Sequence, residues 1–306
     1  MHNHSYEPET AARTHRRPIA IALAITLSIF VFQVFGAWLT GSLALLFDSA
    51  HVFTDAGGLA MALTAATLAV RPATVKRSWG FRRAEVVAAM VQAGILMAVG
   101  TYVLVEGIQR LITPTEVASG QMVIFGVIGL AGNVAALIVL SRSRSANFNL
   151  RAAFLEVLND ALGSVAVIVA AVVITVTGWV RADAIVAMLI GALILPRTLK
   201  LLRETVHVLL EGTPPGIDPS QIREHILRMP GVVEVHDLHV TQIATGLPVL
   251  TAHVVMADEV VAGGGTHEVL DRLQECVSTH FRIGIEHSTF QIEPAAHRGH
   301  EHHLAH

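Results

Sequence analysis

Cysteine is almost absent from this chain. Cys276 is the only one in 306 residues, which excludes an intramolecular disulfide and any CxxC metal or redox motif. Charge is scarce as well. Asp, Glu, Lys and Arg make up 15% of the residues against 53% apolar ones, and they gather in short segments between apolar runs, unlike the evenly charged surface of a soluble domain. There is no basic excess: the formal net charge is −3, which argues against a nucleic-acid partner. No HExxH run occurs, so the helical zinc-hydrolase pattern is missing. Nor is there a cleavable secretion signal. Residues 1–17 are polar, and the apolar run after Arg16-Arg17 is too long for an h-region, so the first helix is expected to stay as an anchor.

What the chain does have is long apolar stretches. A spanning helix needs about 20 predominantly apolar residues, and six candidates stand near residues 18–40, 42–70, 84–112, 118–141, 150–179 and 182–202. Pro18 opens the first, Pro72 and Pro114 lie in connections, and Pro196 comes late in the sixth. Basic residues cluster before the first span, between the second and third, between the fourth and fifth, and after the sixth, while the opposite side carries only Arg110 and Arg181. The positive-inside rule then predicts both termini in the cytoplasm. The organisation expected is a cytoplasmic tail over 1–17, a six-helix transmembrane domain over 18–211, a soluble domain over 212–294 and a His-rich tail over 295–306.

Two short runs inside the apolar stretches carry the chemistry. They are Asp48-Ser-Ala-His51-Val-Phe-Thr-Asp55 and Glu156-Val-Leu-Asn-Asp160. His51 and Asp55 are spaced i,i+4, as are Glu156 and Asp160, so each pair occupies one helical face. An ionisable residue at membrane depth costs about 2.5–3.5 kcal/mol on insertion scales and is rarely kept without a task. One imidazole and three carboxylates on two facing helices could hold a four-coordinate divalent metal. A polar pair that merely glues two helices is the alternative, and two matching pairs weigh against it. Both motifs lie about 15 Å along their spans, in helices expected to be antiparallel, so Asp160 can sit level with His51 and Glu156 with Asp55. Small residues beside them, Ala56, Gly57, Gly58, Ala161, Gly163 and Ser164, would let the two backbones approach. For Asp48 two readings stand, a place on the outward path or a hydrogen bond within its helix. Asn133 is read as structural.

The soluble part shows an α-β-β-α-β order, expected to form a small α+β sandwich with helices on one face. Pro219–Leu227 is helix-like, ended by Pro230. Residues 232–240 and 250–256 are rich in β-branched residues and flank Thr245-Gly246 as a strand pair. Residues 266–281 repeat apolar positions at helical spacing, and 283–292 read as a last strand.

Several of these runs resemble the signatures of one family, the cation diffusion facilitators. They are Ser42 to Asp55, Trp79-Gly80-Phe81-Arg82-Arg83-Ala84-Glu85, Leu158-Asn-Asp160-Ala-Leu-Gly163-Ser164, Leu209-Leu210-Glu211-Gly212-Thr213-Pro214 and Val235-His236-Asp237-Leu238-His239-Val240, and the match runs from about residue 18 to 294. The resemblance implies six transmembrane helices, a C-terminal cytoplasmic α+β ferredoxin-like domain and a homodimer in a bilayer, in a bacterial setting the inner membrane. It implies a secondary transporter, not an enzyme, exchanging Zn2+ or a similar ion for protons by alternating access. The metal is cargo, and no cofactor is implied. His51, Asp55, Glu156 and Asp160 would form the transport site. Zinc-transporting members commonly have a histidine where Glu156 stands. That harder, more negative site makes Mn2+, Fe2+, Co2+ or Cd2+ credible cargo beside Zn2+. The His-rich loop between helices 4 and 5 is missing, replaced by Ser141–Asn149. The resemblance also points to His236, His253 and Glu293 as a cytoplasmic metal site, with Gln291 where some relatives carry histidine. The tails Met1-His2-Asn3-His4 and His297 to His303 would bind metal weakly or only be solvated. Two other classes, an intramembrane metallo-enzyme and a metal sensor, compete with transport. Neither would move protons against metal.

Overall fold

The computed structural model describes residues 8–68, 74–141 and 148–297. Among them six long helices come first: α1 (Pro8–Thr40), α2 (Leu43–Leu68), α3 (Arg83–Ile112), α4 (Ser119–Ser141), α5 (Phe148–Thr177) and α6 (Arg181–Leu209). They match the expected spans with two differences. α1 begins before Pro18, and α6 runs beyond Pro196 and residue 202 to Leu209. An interior proline removes a single i→i−4 bond, and in helices this long the adjacent turns carry the element across it.

Five segments, Leu23–Thr40, Arg83–Ile112, Ser119–Val139, Val157–Thr177 and Arg181–Leu209, are long and apolar enough to cross a membrane. α2, with 26 residues, is about 39 Å long at 1.5 Å per residue, which also exceeds a hydrocarbon core of about 30 Å. The N-terminal part is a helical transmembrane domain. Among the described residues the chain divides into two compact units, one taking in the chain up to Thr74 and Val87–Arg203, the other Val75–Val86 and the chain from Glu204 onward.

In the first unit α1 packs on α2 and α4, α4 on α5, and α2 on α5. Leu43, Leu45 and Phe47 of α2 meet Met122 of α4 and Val167 and Ala171 of α5 in its core. Large apolar side chains also point outward: Trp38, Val176 and Leu193 are 77%, 78% and 81% exposed. A shell of that kind suits lipid, where the association of helices depends on close packing and polar contacts inside.

The start of α2 is fixed with unusual care. α1 ends at Thr40, and Gly41 takes φ +67°, a left-handed turn that glycine adopts without a Cβ clash. Ser42 then caps α2 by accepting from the Leu45 N–H at 3.1 Å. Asp183 reaches in from the first turn of α6. Its carboxylate accepts from the Ser42 hydroxyl at 2.5 Å, the Leu43 N–H at 2.8 Å and the Ala44 N–H at 3.2 Å. Asp183 is 1% exposed, so the first-turn donors of α2 are satisfied from another helix.

The second unit contains α7 (Pro219–Leu227), β1 (Val232–Ala244), β2 (Leu247–Met256), a short α8 (Asp258–Ala262), α9 (Thr266–Thr279) and β3 (His287–Pro294). The expected order holds, with α8 as an addition. Its three-stranded sheet has the order β1-β2-β3, with β1 and β2 antiparallel and β2 and β3 parallel. α7 opens on Asp218, whose carboxylate accepts from the Ser220 N–H at 2.9 Å. β3 begins at His287 rather than 283, because the chain first folds back on the end of α9, where the Ile285 N–H donates to the Val277 carbonyl at 2.8 Å. Leu250, Ala252, Val254 and Met256 face Ile222, Ile226, Leu273 and Val277 of the two helices. By strand alternation His253 then faces the other side of the sheet. The segment before α3, with the first residues of that helix, belongs to this unit. Trp79 stacks edge-on against His287 with centroids 4.6 Å apart, and Glu85 accepts from the Thr245 hydroxyl at 2.8 Å.

Candidate metal centre

α2 and α5 bring His51, Asp55 and Asp160 together. His51 Nε2 lies 3.7 Å from Asp55 Oδ2, one turn along its own helix, and 3.5 Å from Asp160 Oδ1 on α5. One ligand atom from each residue is within 4.8 Å of the other two. The side chains are 15%, 10% and 2% exposed in that order. These separations are longer than hydrogen bonds. The 3.5 Å separation falls within the edge of a ligand tetrahedron, about 3.3–3.6 Å for Zn2+ bonds of about 2.0–2.2 Å to nitrogen and oxygen, and the 3.7 Å one lies just beyond it. Glu156 lies on α5 one turn before Asp160, and its side chain falls outside the described residues. So do the His-rich tails, except His297, and most of the connection between α4 and α5.

A buried polar layer adjoins this cluster. Asp48 is 2% exposed, and its Oδ2 accepts from Gln33 Nε2 of α1 at 2.5 Å. Neither sequence reading of Asp48 describes that bond, which ties α1 to α2. On α5, Gly163 makes the close approach possible, since a Cβ there would stand 2.8 Å from Asp48 Oδ1. Asn133 of α4 donates to Ser164 Oγ of α5 at 3.3 Å, a helix-to-helix contact in line with a structural role. Gln33 and Asp183 are polar residues inside or beside apolar runs, and that is the only signal by which the sequence could have singled them out.

A second cluster lies on the face of the sheet away from the helices. His236 and His253 are cross-strand partners, and His253 pairs with Gln291 on β3. Glu293, two residues on, is 1% exposed. Its Oε1 is 2.7 Å from His253 Nδ1, and its Oε2 is 3.5 Å from His236 Nε2. One ligand atom from each of the three lies within 4.8 Å of the others. Gln291 faces the same cluster, where its Nε2 donates to Glu293 Oε1 at 2.8 Å. Asp237, part of the Val235–Val240 signature but not of the expected ligand set, has φ +49° at a register shift between His236 and His239. That bulge turns its carboxylate to within 2.8 Å of His239 Nε2 and 3.7 Å of His253 Nε2.

Comparison with known proteins covers nearly the whole chain. Residues 19–210 match the cation efflux transmembrane domain and residues 214–295 the cytoplasmic domain of cation efflux proteins. The chain is 41% identical over 281 residues to the metal cation efflux system protein CzcD of Cupriavidus metallidurans, covering 92% of this chain and 87% of the relative. It is 36% identical over 315 residues to the zinc transporter ZitB of Escherichia coli, covering 99% and 97%. It is also 32% identical over 298 residues to a cadmium, cobalt and zinc/H(+)-K(+) antiporter of Bacillus subtilis, covering 97% and 93%.

Proposed function

Because the chain belongs to the cation efflux family, we propose that it carries Zn2+ out of the cytoplasm in exchange for protons through a site at His51, Asp55, Asp160 and Glu156. The chain is a multi-pass membrane transporter of metal cations and not an enzyme. The observation that supports the proposed site is the convergence of an imidazole and two carboxylates from α2 and α5 in a nearly buried place. Glu156, on the same face of α5 as Asp160 by its i,i+4 spacing, supplies the fourth ligand. One nitrogen and three oxygens suit a borderline ion such as Zn2+.

The exchange follows from the ligand chemistry. Metal binds only deprotonated carboxylates and neutral imidazole, so loading the site from the cytoplasm releases protons. When α2 and α5 rearrange to open the site outward, protons re-enter the same atoms and expel the ion. With neutral His51, three ionised carboxylates and a dication, the site would hold one net negative charge in a poorly solvated place. One retained proton removes it and sets the coupling ratio.

The cytoplasmic domain, read as residues 212–294, joins two copies of the chain, in keeping with its match to the cation efflux cytoplasmic domain. His236, His253 and Glu293 bind a regulatory ion there, and both termini lie in the cytoplasm of a cell whose inner membrane houses the protein. The test is metal-driven proton flux in sealed vesicles. Wild type should release protons on addition of Zn2+, whereas Asp55→Ala and Asp160→Ala should not, while remaining folded and dimeric. Wild-type flux in either variant would refute the assignment.

A further inference from the structure

A third group of metal-ligand residues stands apart from both clusters. His225 lies in the last turn of α7, and Cys276 lies on α9 with His280 at the C-cap of that helix, at i,i+4 spacing. His280 caps α9, its N–H donating to the Cys276 carbonyl at 3.0 Å, so thiol and ring share one helical face. Ile222, Ile226, Leu273 and Val277, all buried, fix the two helices against the sheet. Cys276 is 1% exposed, while His225 and His280 meet at the surface. One ligand atom from each of the three lies within 4.8 Å of the others.

The histidine pair has telling geometry. His225 Nε2 and His280 Nδ1 are 3.3 Å apart, with the rings inclined at 59°. That is long for an N–H···N bond, since protein hydrogen bonds from nitrogen fall at about 2.7–3.2 Å. It equals the N···N edge of a tetrahedral site, about 3.3–3.4 Å when each metal–nitrogen bond is about 2.0–2.1 Å. Phe281 stands edge-on to His225 with centroids 5.5 Å apart and helps hold the ring.

We propose that His225, Cys276 and His280 form a separate metal site for a borderline-to-soft divalent ion, Zn2+ or Cd2+, on the helical face of the C-terminal domain. A thiolate with two imidazoles discriminates against Mg2+, Ca2+ and Mn2+, which prefer oxygen. Binding draws the sulfur in toward the two nitrogens and displaces its proton. With both histidines at the surface, the fourth position falls to water. The site lies on the opposite side of the sheet from His236, His253 and Glu293, and it does not depend on the proposed transport mechanism.

The single cysteine makes the test specific. No other metal-ligand cluster among the described residues contains sulfur, and Cys276 is the chain's only thiol. A sulfur-to-cobalt charge-transfer band in the near ultraviolet therefore reports this site alone. Purified full-length protein in detergent, titrated with Co2+, should develop that band to saturation, and Zn2+ should bleach it. Cys276→Ser should lack the band. Losing an outer-shell partner of a metal site already costs about 10–100-fold in affinity, so His225→Ala and His280→Ala should each raise the Co2+ concentration needed by about a hundredfold or more. If wild type shows no such band while d–d absorption reports Co2+ bound elsewhere, the proposal fails. A band that both histidine variants leave unchanged also overturns it. Because His225 and His280 are at the surface, these two variants keep the test decisive even if Cys276→Ser fails to fold.

Discussion

Replacing Asp183 with alanine should loosen α2, the helix that carries His51 and Asp55. The Asp183 carboxylate accepts from the Ser42 hydroxyl, the Leu43 N–H and the Ala44 N–H at 2.5, 2.8 and 3.2 Å. Its truncation strips two buried first-turn donors of their acceptor, and a buried donor left unsatisfied costs about 1–3 kcal/mol. Loss of a negative charge at a helix N-terminus adds about 0.3–1 kcal/mol. Ser42 keeps its own cap on Leu45, so the sum falls short of the extreme, at about 3–5 kcal/mol. For a unit of this size each kcal/mol moves the melting temperature by about 2–4 °C, so Asp183→Ala should lower it by about 6–20 °C. Asp183→Asn keeps one carbonyl oxygen and should fall between that variant and wild type. The assay is thermal unfolding in detergent followed by circular dichroism, with Zn2+ affinity measured alongside, since a freed α2 should bind metal more weakly. An Asp183→Ala protein melting within about 1 °C of wild type would refute the reasoning, because the cap would then carry no stability.

Two further outcomes are expected. Glu156→His should move transport preference toward Zn2+ and away from Mn2+, because it exchanges a hard anionic oxygen for a borderline nitrogen; a competition assay that returns an unchanged Zn2+/Mn2+ ratio would remove Glu156 from the ligand set. At the start of α7, donation from the Ser220 hydroxyl and then from the Ser220 N–H holds the Asp218 carboxyl below its ordinary value. A depressed folded pKa means the cap's contribution is complete above the ordinary carboxylate range and is lost as pH falls through the folded value. The protection of the α7 amides, taken relative to their intrinsic exchange rate at each pH, should therefore fall in acid for wild type, and this acid dependence should be absent in Asp218→Asn.

The parts of this molecule that were legible in the sequence are those set by local periodicity. Apolar runs marked the spans, and i,i+4 spacing singled out His51 with Asp55, since one helical turn is enough to place them on one face. The β-branched residues of 232–240 and 250–256 marked the strand pair around Thr245-Gly246, but not which face of β2 carries His253. What stayed hidden depends on partners far along the chain. Asp48 bonds Gln33 on another helix, and Asp183 caps a helix whose first residues lie about 140 positions away. No short window contains both ends of such a bond. The late start of β3 has the same origin, in a backbone bond from Ile285 back to α9. The approach of His225 to Cys276 and His280 was equally invisible, because it arises only when α7 and α9 lie side by side.

The outward display of Trp38, Val176 and Leu193 should reverse the usual pattern of evolutionary tolerance. In a water-soluble protein the exterior drifts freely toward charge and the interior is confined to hydrocarbon. Here an exterior position can wander among Leu, Ile, Val and Phe at little cost, but a single Lys at Leu193 would meet lipid on nearly every side. The interior admits Gln, Asp, Asn and Ser, yet only in matched sets, because each holds its neighbour in place. Substitutions accumulating in this chain should therefore be frequent and chemically narrow outside, and rare, coupled and chemically diverse within.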